Sequence, residues 1–285
     1  MNKRVVITGM GVISPVGNDV NTFWNNLCNG VCGIESIKAF PTDNLPVGIA
    51  GIIKDFKAEE YGMDKPFIRK QDLFTQYGVA AAYQAMKQSG LVSQGEGQNI
   101  DPFRLGVYFG SGIGGFATQY REIAKMIEDP SGQWISPLFI PTMISNIAAG
   151  HIAIMHHAEG PCLDIVTACA TSTNAMGEAF RAIRNGYADA IITGGCENAT
   201  IPIGIVGFAN AKALSRATDP KYASLPFNAN RAGFVMADGS AALVLEEYEH
   251  AKARGAQILG EMVGYGNTCD AYHSTAPRPD GTTQA

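Results

Sequence analysis

Residues 160–186 read GPCLDIVTACATSTNAMGEAFRAIRNG and change their hydrophobic period halfway. The first part, CLDIVTA at 162–168, is a short apolar run behind Gly160-Pro161, which predicts a buried strand. From Thr171 onward, Met176, Ala179, Phe180 and Ile183 fall at i, i+3, i+4 and i+7, the stripe of an amphipathic helix that Asn185-Gly186 stops. A strand feeding directly into a helix is the building unit of an α/β protein. Cys169 stands on the turn between them.

The same alternation continues in both directions. Arg4–Thr8 reads as a strand, followed by a Gly-rich turn and a helix over Val20–Asn29; residues 31–60 read as irregular. A single helix is expected over Phe67–Ser89, a strand over Leu105–Phe109 running into the loop GSGIGG at 110–115, and a helix over 117–127. Trp134–Pro141 reads as an extended loop and Met143–His157 as a helix of small residues. Strands follow at 189–195 and 241–247, a helix at 248–255, and a strand at 258–266. ITGMG at 7–11 and MVGYG at 262–266 echo each other as apolar strands closing on Gly-x-Gly. This divides the chain into residues 1–255, a complete first half, and residues 256–285, the start of a second half expected to break off after about one strand.

Composition narrows the function. Charged residues make up only 16% of the chain, against about 25% in an average domain. Surface is therefore expected to be buried, as in a subunit interface. A net charge of −5 argues against nucleic acid as a partner, and no apolar run reaches the roughly 18 residues of a membrane span. The broken apolar stretch after Met1 reads as a strand rather than a signal peptide. Six scattered cysteines suit a reduced, cytoplasmic protein. With neither CxxC nor HExxH in the sequence, no metal site and no cofactor are expected.

Two glycine-rich stretches invite nucleotide binding and fail in detail. After Gly9 and Gly11 the third glycine position is Ser14, and GSGIGG lacks the Lys-Ser/Thr of a P-loop. Cys169 is the stronger candidate. A thiol at a helix N-terminus meets unpaired N–H groups and the positive end of the helix dipole, which favour a thiolate and can hold an oxyanion. Cys162 and Cys196 are expected to pack in the core. Spacing selects none of the five histidines as a partner for Cys169.

The chain resembles the β-ketoacyl-acyl-carrier-protein synthases of the elongating type, most closely their synthase II branch. The resemblance is carried by VVITGMGVISPVG, GSGIGG, SPLFIPTMISNIAAGHIAI, the stretch around TACATS, GGCEN, GFANAKALS and DAYHSTAP. It implies a thiolase-like layered α-β-α-β-α fold, a homodimer, and an acyltransferase that condenses a cysteine-bound acyl group with malonyl-acyl carrier protein by decarboxylation. By the same resemblance Cys169 is the acyl-accepting nucleophile, Ile113 and Phe208 border the acyl chain, and Phe139 reaches toward the partner's pocket. Lys65, Arg69, Lys70 and Lys212 would receive the acidic carrier protein. The family's catalytic histidines, lysine and gating phenylalanine match positions beyond Ala285, and PFNANRAGF at 226–234 carries Asn228 and Ala232 where the family carries charge. A second expectation therefore stands beside the enzyme: a non-catalytic chain that dimerises or docks the carrier protein.

Overall fold

The computed structural model describes residues 3–284. Its strands are β1 (Val5–Ile13), β2 (Ile34–Ser36), β3 (Ile49–Gly51), β4 (Leu105–Gly110), β5 (Cys162–Leu163), β6 (Ala190–Glu197), β7 (Gly239–Glu247) and β8 (Gly260–Met262). Its helices are α1 (Val20–Cys28), α2 (Lys65–Lys70), α3 (Leu73–Ser89), α4 (Phe116–Glu128), α5 (Phe139–Met143), α6 (Ile147–His156), α7 (Thr171–Arg184), α8 (Pro202–Asn210) and α9 (Tyr248–Ala253). One mixed sheet runs in the order β5-β4-β6-β7-β1-β8, while β2 and β3 form a separate small hairpin. Strands β5, β4 and β6 are parallel; β6–β7, β7–β1 and β1–β8 are antiparallel.

Both faces of this sheet are covered, which explains why its central strands read as continuous apolar runs. Successive residues alternate between the two sides. Val107, Phe109, Ile192 and Val244 pack with the buried faces of α3 and α6. Their neighbours Tyr108, Ile191 and Leu245 pack against Ala179, Phe180 and Ile183 of α7. A third cluster, including Ile49, Ile205, Leu214 and Met236, lies beneath α8 and the loops around it.

The first glycine pair is explained by packing. Strand β1 runs through Gly9 and Gly11 to Ile13, so these residues lie within a strand rather than on a turn. A Cβ at Gly9 would overlap the Ala85 carbonyl, and one at Gly11 the Ala81 carbonyl, both on α3. Gln88 Oε1 accepts from the Met10 N–H at 2.8 Å, and Gln84 Nε2 donates to the Val12 carbonyl at 3.0 Å. The Gly-x-Gly pair is therefore a seam where strand and helix backbones touch.

Several elements differ from expectation. The helix expected over 67–89 breaks into α2 and α3, because Asp72 caps α3 and also accepts from the Thr118 N–H and hydroxyl at 2.9 and 2.6 Å. Gln76 Nε2 staples the break by donating to the Ile68 and Gln71 carbonyls. Residues 31–60 contain the β2–β3 hairpin, and α5 lies where an extended loop and a helix start were expected. The last strand is only Gly260–Met262, pairing with Val5–Ile7 of β1, so the echoing residues 263–266 lie outside any strand. No helix among the described residues is long and apolar enough to cross a membrane.

Candidate active site

Strands β5, β4 and β6 run parallel and end side by side, so the loops after their C-terminal ends converge, the usual place for a site in an α/β sheet. These loops are the segment to Cys169, GSGIGG, and the stretch from Glu197 to α8. Together with residues within 234–241 they line a cavity of about 620 Å³. Cys169, Ile113 and Phe208 are all on its wall. No histidine is among the lining residues.

The approach to Cys169 corrects the expected strand. Only Cys162 and Leu163 pair with β4; the chain then leaves the sheet. Asp164 diverts it, accepting from Ser145 Oγ at 2.5 Å through Oδ2. Residue 110 must be glycine here, since a Cβ would overlap the Ile165 carbonyl and press on Thr171. On the edge strand β5, Cys162 is exposed rather than packed in the core; Cys196 is buried, and burial pushes its thiol well above the ordinary range.

The chain reaches the helix through a tight 3₁₀ turn, Ala168–Ala170, in which Ala168 takes φ +51°. That left-handed conformation is costly for a residue with a Cβ, so neighbouring bonds must hold it. The Thr167 N–H donates to Thr171 Oγ1 at 2.9 Å, and the Ala170 N–H to the Thr167 carbonyl at 3.1 Å. Cys169 is thereby presented, exposed, directly before the first turn of α7. The buried stripe of α7 contains Ala175, Ala179, Phe180 and Ile183; Met176 is only half-buried.

On the same cavity wall as the thiol, Glu197 organises GSGIGG. Its Oε1 accepts from Ser111 Oγ and its Oε2 from the Gly112 N–H, both at 2.9 Å, while Ser111 Oγ accepts from the Gly114 N–H at 2.9 Å. Burial pushes the Glu197 carboxyl up, against these bonds, which favour the anion. Asp238 plays a similar part behind the cavity, accepting from the Ala199 and Thr200 N–H groups at 3.0 Å and from Asn198 Nδ2 at 2.9 Å. Sequence spacing marks neither carboxylate. The only sequence signal was an acidic residue just after an apolar Gly-Gly strand in GGCEN.

The remaining candidates lie apart from the thiol. Phe139 opens α5, half-buried, and does not line the cavity of its own chain. Lys65, Arg69 and Lys70 are exposed on α2, whose start is capped by Asp64. Lys212 is exposed just past α8, the helix that carries Phe208 to the cavity. The loop carrying Asn228 and Ala232 leaves Phe227 fully exposed. The site thus joins a thiol at a helix N-terminus to a largely apolar chamber large enough for a flexible chain. Such an arrangement can take an acyl group from a thioester by attack of sulfur on the carbonyl.

Residues 2–251 match the family described as Beta-ketoacyl synthase, N-terminal domain. The 3-oxoacyl-[acyl-carrier-protein] synthase 2 of Vibrio cholerae is 47% identical over 281 residues, as is that of Staphylococcus aureus strain N315. Each alignment covers 98% of this chain and 66% of the relative, so the chain spans just under two thirds of their length. Among solved structures, a type II polyketide ketosynthase in complex with its acyl-carrier protein and bound to the hexaketide superposes with a TM-score of 0.87 at 31% identity. That superposition covers 99% of this chain and 67% of the other. A β-ketoacyl synthase from Burkholderia phymatum gives a TM-score of 0.84 at 30% identity, covering 96% and 66%.

Proposed function

The chain belongs to the β-ketoacyl synthase family, with the thiolase-like α/β fold of its solved relatives, and from that premise we propose that Cys169 accepts an acyl group from acyl carrier protein. The carrying observation is the exposed Cys169 thiol before α7, on the wall of the 620 Å³ cavity that Ile113 and Phe208 also line. In the forward step the sulfur attacks the acyl carbonyl, the carrier thiol leaves, and a thioester forms with its chain in the cavity. In the whole protein, decarboxylation of malonyl-acyl carrier protein then supplies the carbon nucleophile that takes the acyl group from Cys169. Carbon dioxide and 3-oxoacyl-acyl carrier protein are released, lengthening a fatty acid chain.

Two partners belong to this reading. Lys65, Arg69, Lys70 and Lys212 form the basic docking positions for the acidic carrier protein; the net charge of −5 makes such local basic positions necessary for binding it. A second copy of the chain docks along β5, which is an open sheet edge beside exposed Leu163, Val166 and Ile154. Phe139, which does not line the cavity of its own chain, faces the partner's. Six unpaired cysteines suit the reducing cytoplasm. The boundary near residue 255 is kept as the division between the nucleophile-bearing half and the segment that follows.

The alternative, a non-catalytic chain that dimerises or docks the carrier, rests on the open β5 edge and the exposed basic residues of α2 without the thiol. Protection separates the two. Preincubation with acyl-acyl carrier protein should shield Cys169 from iodoacetamide while exposed Cys32 is labelled as before. Full labelling of Cys169 after preincubation favours the docking-only chain.

A further inference from the structure

The turn that presents Cys169 is held from a part of the chain almost one hundred residues away. Beyond β8 the backbone has no regular structure at residues 263–268, yet Tyr265 is fastened to α7 on three sides. Its ring lies across Gly177, where a Cβ would overlap the aromatic carbons. The Arg181 guanidinium sits 4.8 Å from the ring centroid, and Arg181 is itself fixed by Glu178 at 2.8 Å. The Tyr265 hydroxyl donates to Asn174 Oδ1 at 2.8 Å.

Asn174 passes this constraint on. Its Nδ2 donates to Thr167 Oγ1 at 2.8 Å, and the Thr167 N–H donates to Thr171 Oγ1. Thr167 directly precedes Ala168, the residue in the left-handed conformation, and stands two before Cys169. With its oxygen taken by the phenol, the Asn174 amide can point only its NH₂ at Thr167. Without the phenol, the amide is free to rotate and the Thr167 side chain loses a fixed donor. We infer that Tyr265 is a positioning residue for Cys169, acting through Asn174 and Thr167. This rests on the reading of Cys169 as the acyl-accepting nucleophile.

The test is the alkylation rate of Cys169 by iodoacetamide in the full chain, mapped by peptide, with exposed Cys32 as internal control in the same sample. Tyr265→Phe keeps the ring and the Arg181 contact and should slow Cys169 about fivefold, the effect of losing one hydrogen bond. Asn174→Ala should slow it at least as much, and the double variant no further than the slower single one, because both act through one chain of bonds. Thr167→Val should match Asn174→Ala, while Thr167→Ser, which keeps the oxygen, restores the rate. An unchanged Cys169 rate in Tyr265→Phe, or equal slowing of Cys32, overturns the proposal. Cys169 reacting no faster than Cys32 in the unaltered chain would instead sink the nucleophile reading itself, and the proposal with it.

Discussion

Helices α3 and α7 cover opposite faces of one sheet, and they are packed to different ends. Twelve of the seventeen residues of α3 are buried, and it is pressed so closely on β1 that two glycines are required at the contact. Helix α7 buries one face, but the segment leading into it, residues 166–170, is exposed throughout. What holds that segment is a set of side-chain hydrogen bonds through Thr167, Thr171 and Asn174 rather than apolar contact. The α3 seam supplies rigidity; the α7 approach presents a thiol that buried packing would have sealed off.

If the seam is the rigid side, the largest loss of stability should come from filling it. Gly11→Val places a branched side chain against the α3 backbone, where nothing at the far end of a flexible chain can yield, and should cost about 3 kcal/mol or more. Urea denaturation measures this. A loss below about 1 kcal/mol would mean that strand and helix separate easily and that the contrast with α7 is overdrawn.

Away from the seam, polar clasps should dominate. Glu122 is buried on α4, and its carboxylate accepts from Lys125 Nζ at 2.8 Å, Arg121 Nε at 3.1 Å and the Ser136 N–H at 2.9 Å. It thereby holds the turn-rich stretch that leads to α5 and Phe139. Burial alone would raise this carboxyl, but the bonds from Lys125, Ser136 and Arg121 outweigh it and bring it down to about 2. A depressed carboxyl stabilises the folded chain above its ordinary value of 4.5, and that contribution is lost as the pH falls toward about 2. Glu122→Gln should cost about 2 kcal/mol at neutral pH and remove this part of the acid sensitivity. Denaturation curves at pH 7 and pH 3 check both. Equal acid sensitivity in the variant would assign the effect to other groups.

Smaller effects should appear at the surfaces proposed to receive partners. Leu163→Glu, on the exposed β5 edge, should weaken self-association about tenfold in sedimentation equilibrium while leaving the fold intact. An unaltered assembly would move the interface elsewhere. Replacing Arg69 and Lys70 with glutamate should weaken carrier-protein binding roughly fivefold at low ionic strength and less at high salt. A loss independent of salt would point to damage of α2 rather than to docking.

What could be read in the sequence follows the same contrast. The central strands and α7 were legible at residues 105–110, 171–186 and 190–197 because burial on both faces leaves uninterrupted apolar runs, and a helix leaves a stripe. Residues 162–168 misled for the same reason. Apolar character is shared by a core strand and by an exposed edge segment, and the two-residue pairing with β4 distinguishes them. The position of Cys169 before a helix was visible in the change of period. Glu197 and Asp238 were not, because their roles depend on N–H groups brought together by strands distant in sequence. Nor was the break at Asp72, whose second partner, Thr118, is 46 residues away. Gly9 and Gly11 look like a nucleotide loop in one dimension and become a packing seam in three.

The acyl-accepting role of Cys169 is tested most directly by intact mass. After incubation with an acyl-acyl carrier protein, the chain should gain the mass of one acyl group, and peptide mapping should place it on Cys169. The gain should vanish on treatment with hydroxylamine, which cleaves thioesters, and should never appear in Cys169→Ala. Acyl mass on Cys32 or Cys162 with Cys169 unmodified, or the same gain in Cys169→Ala, would contradict it.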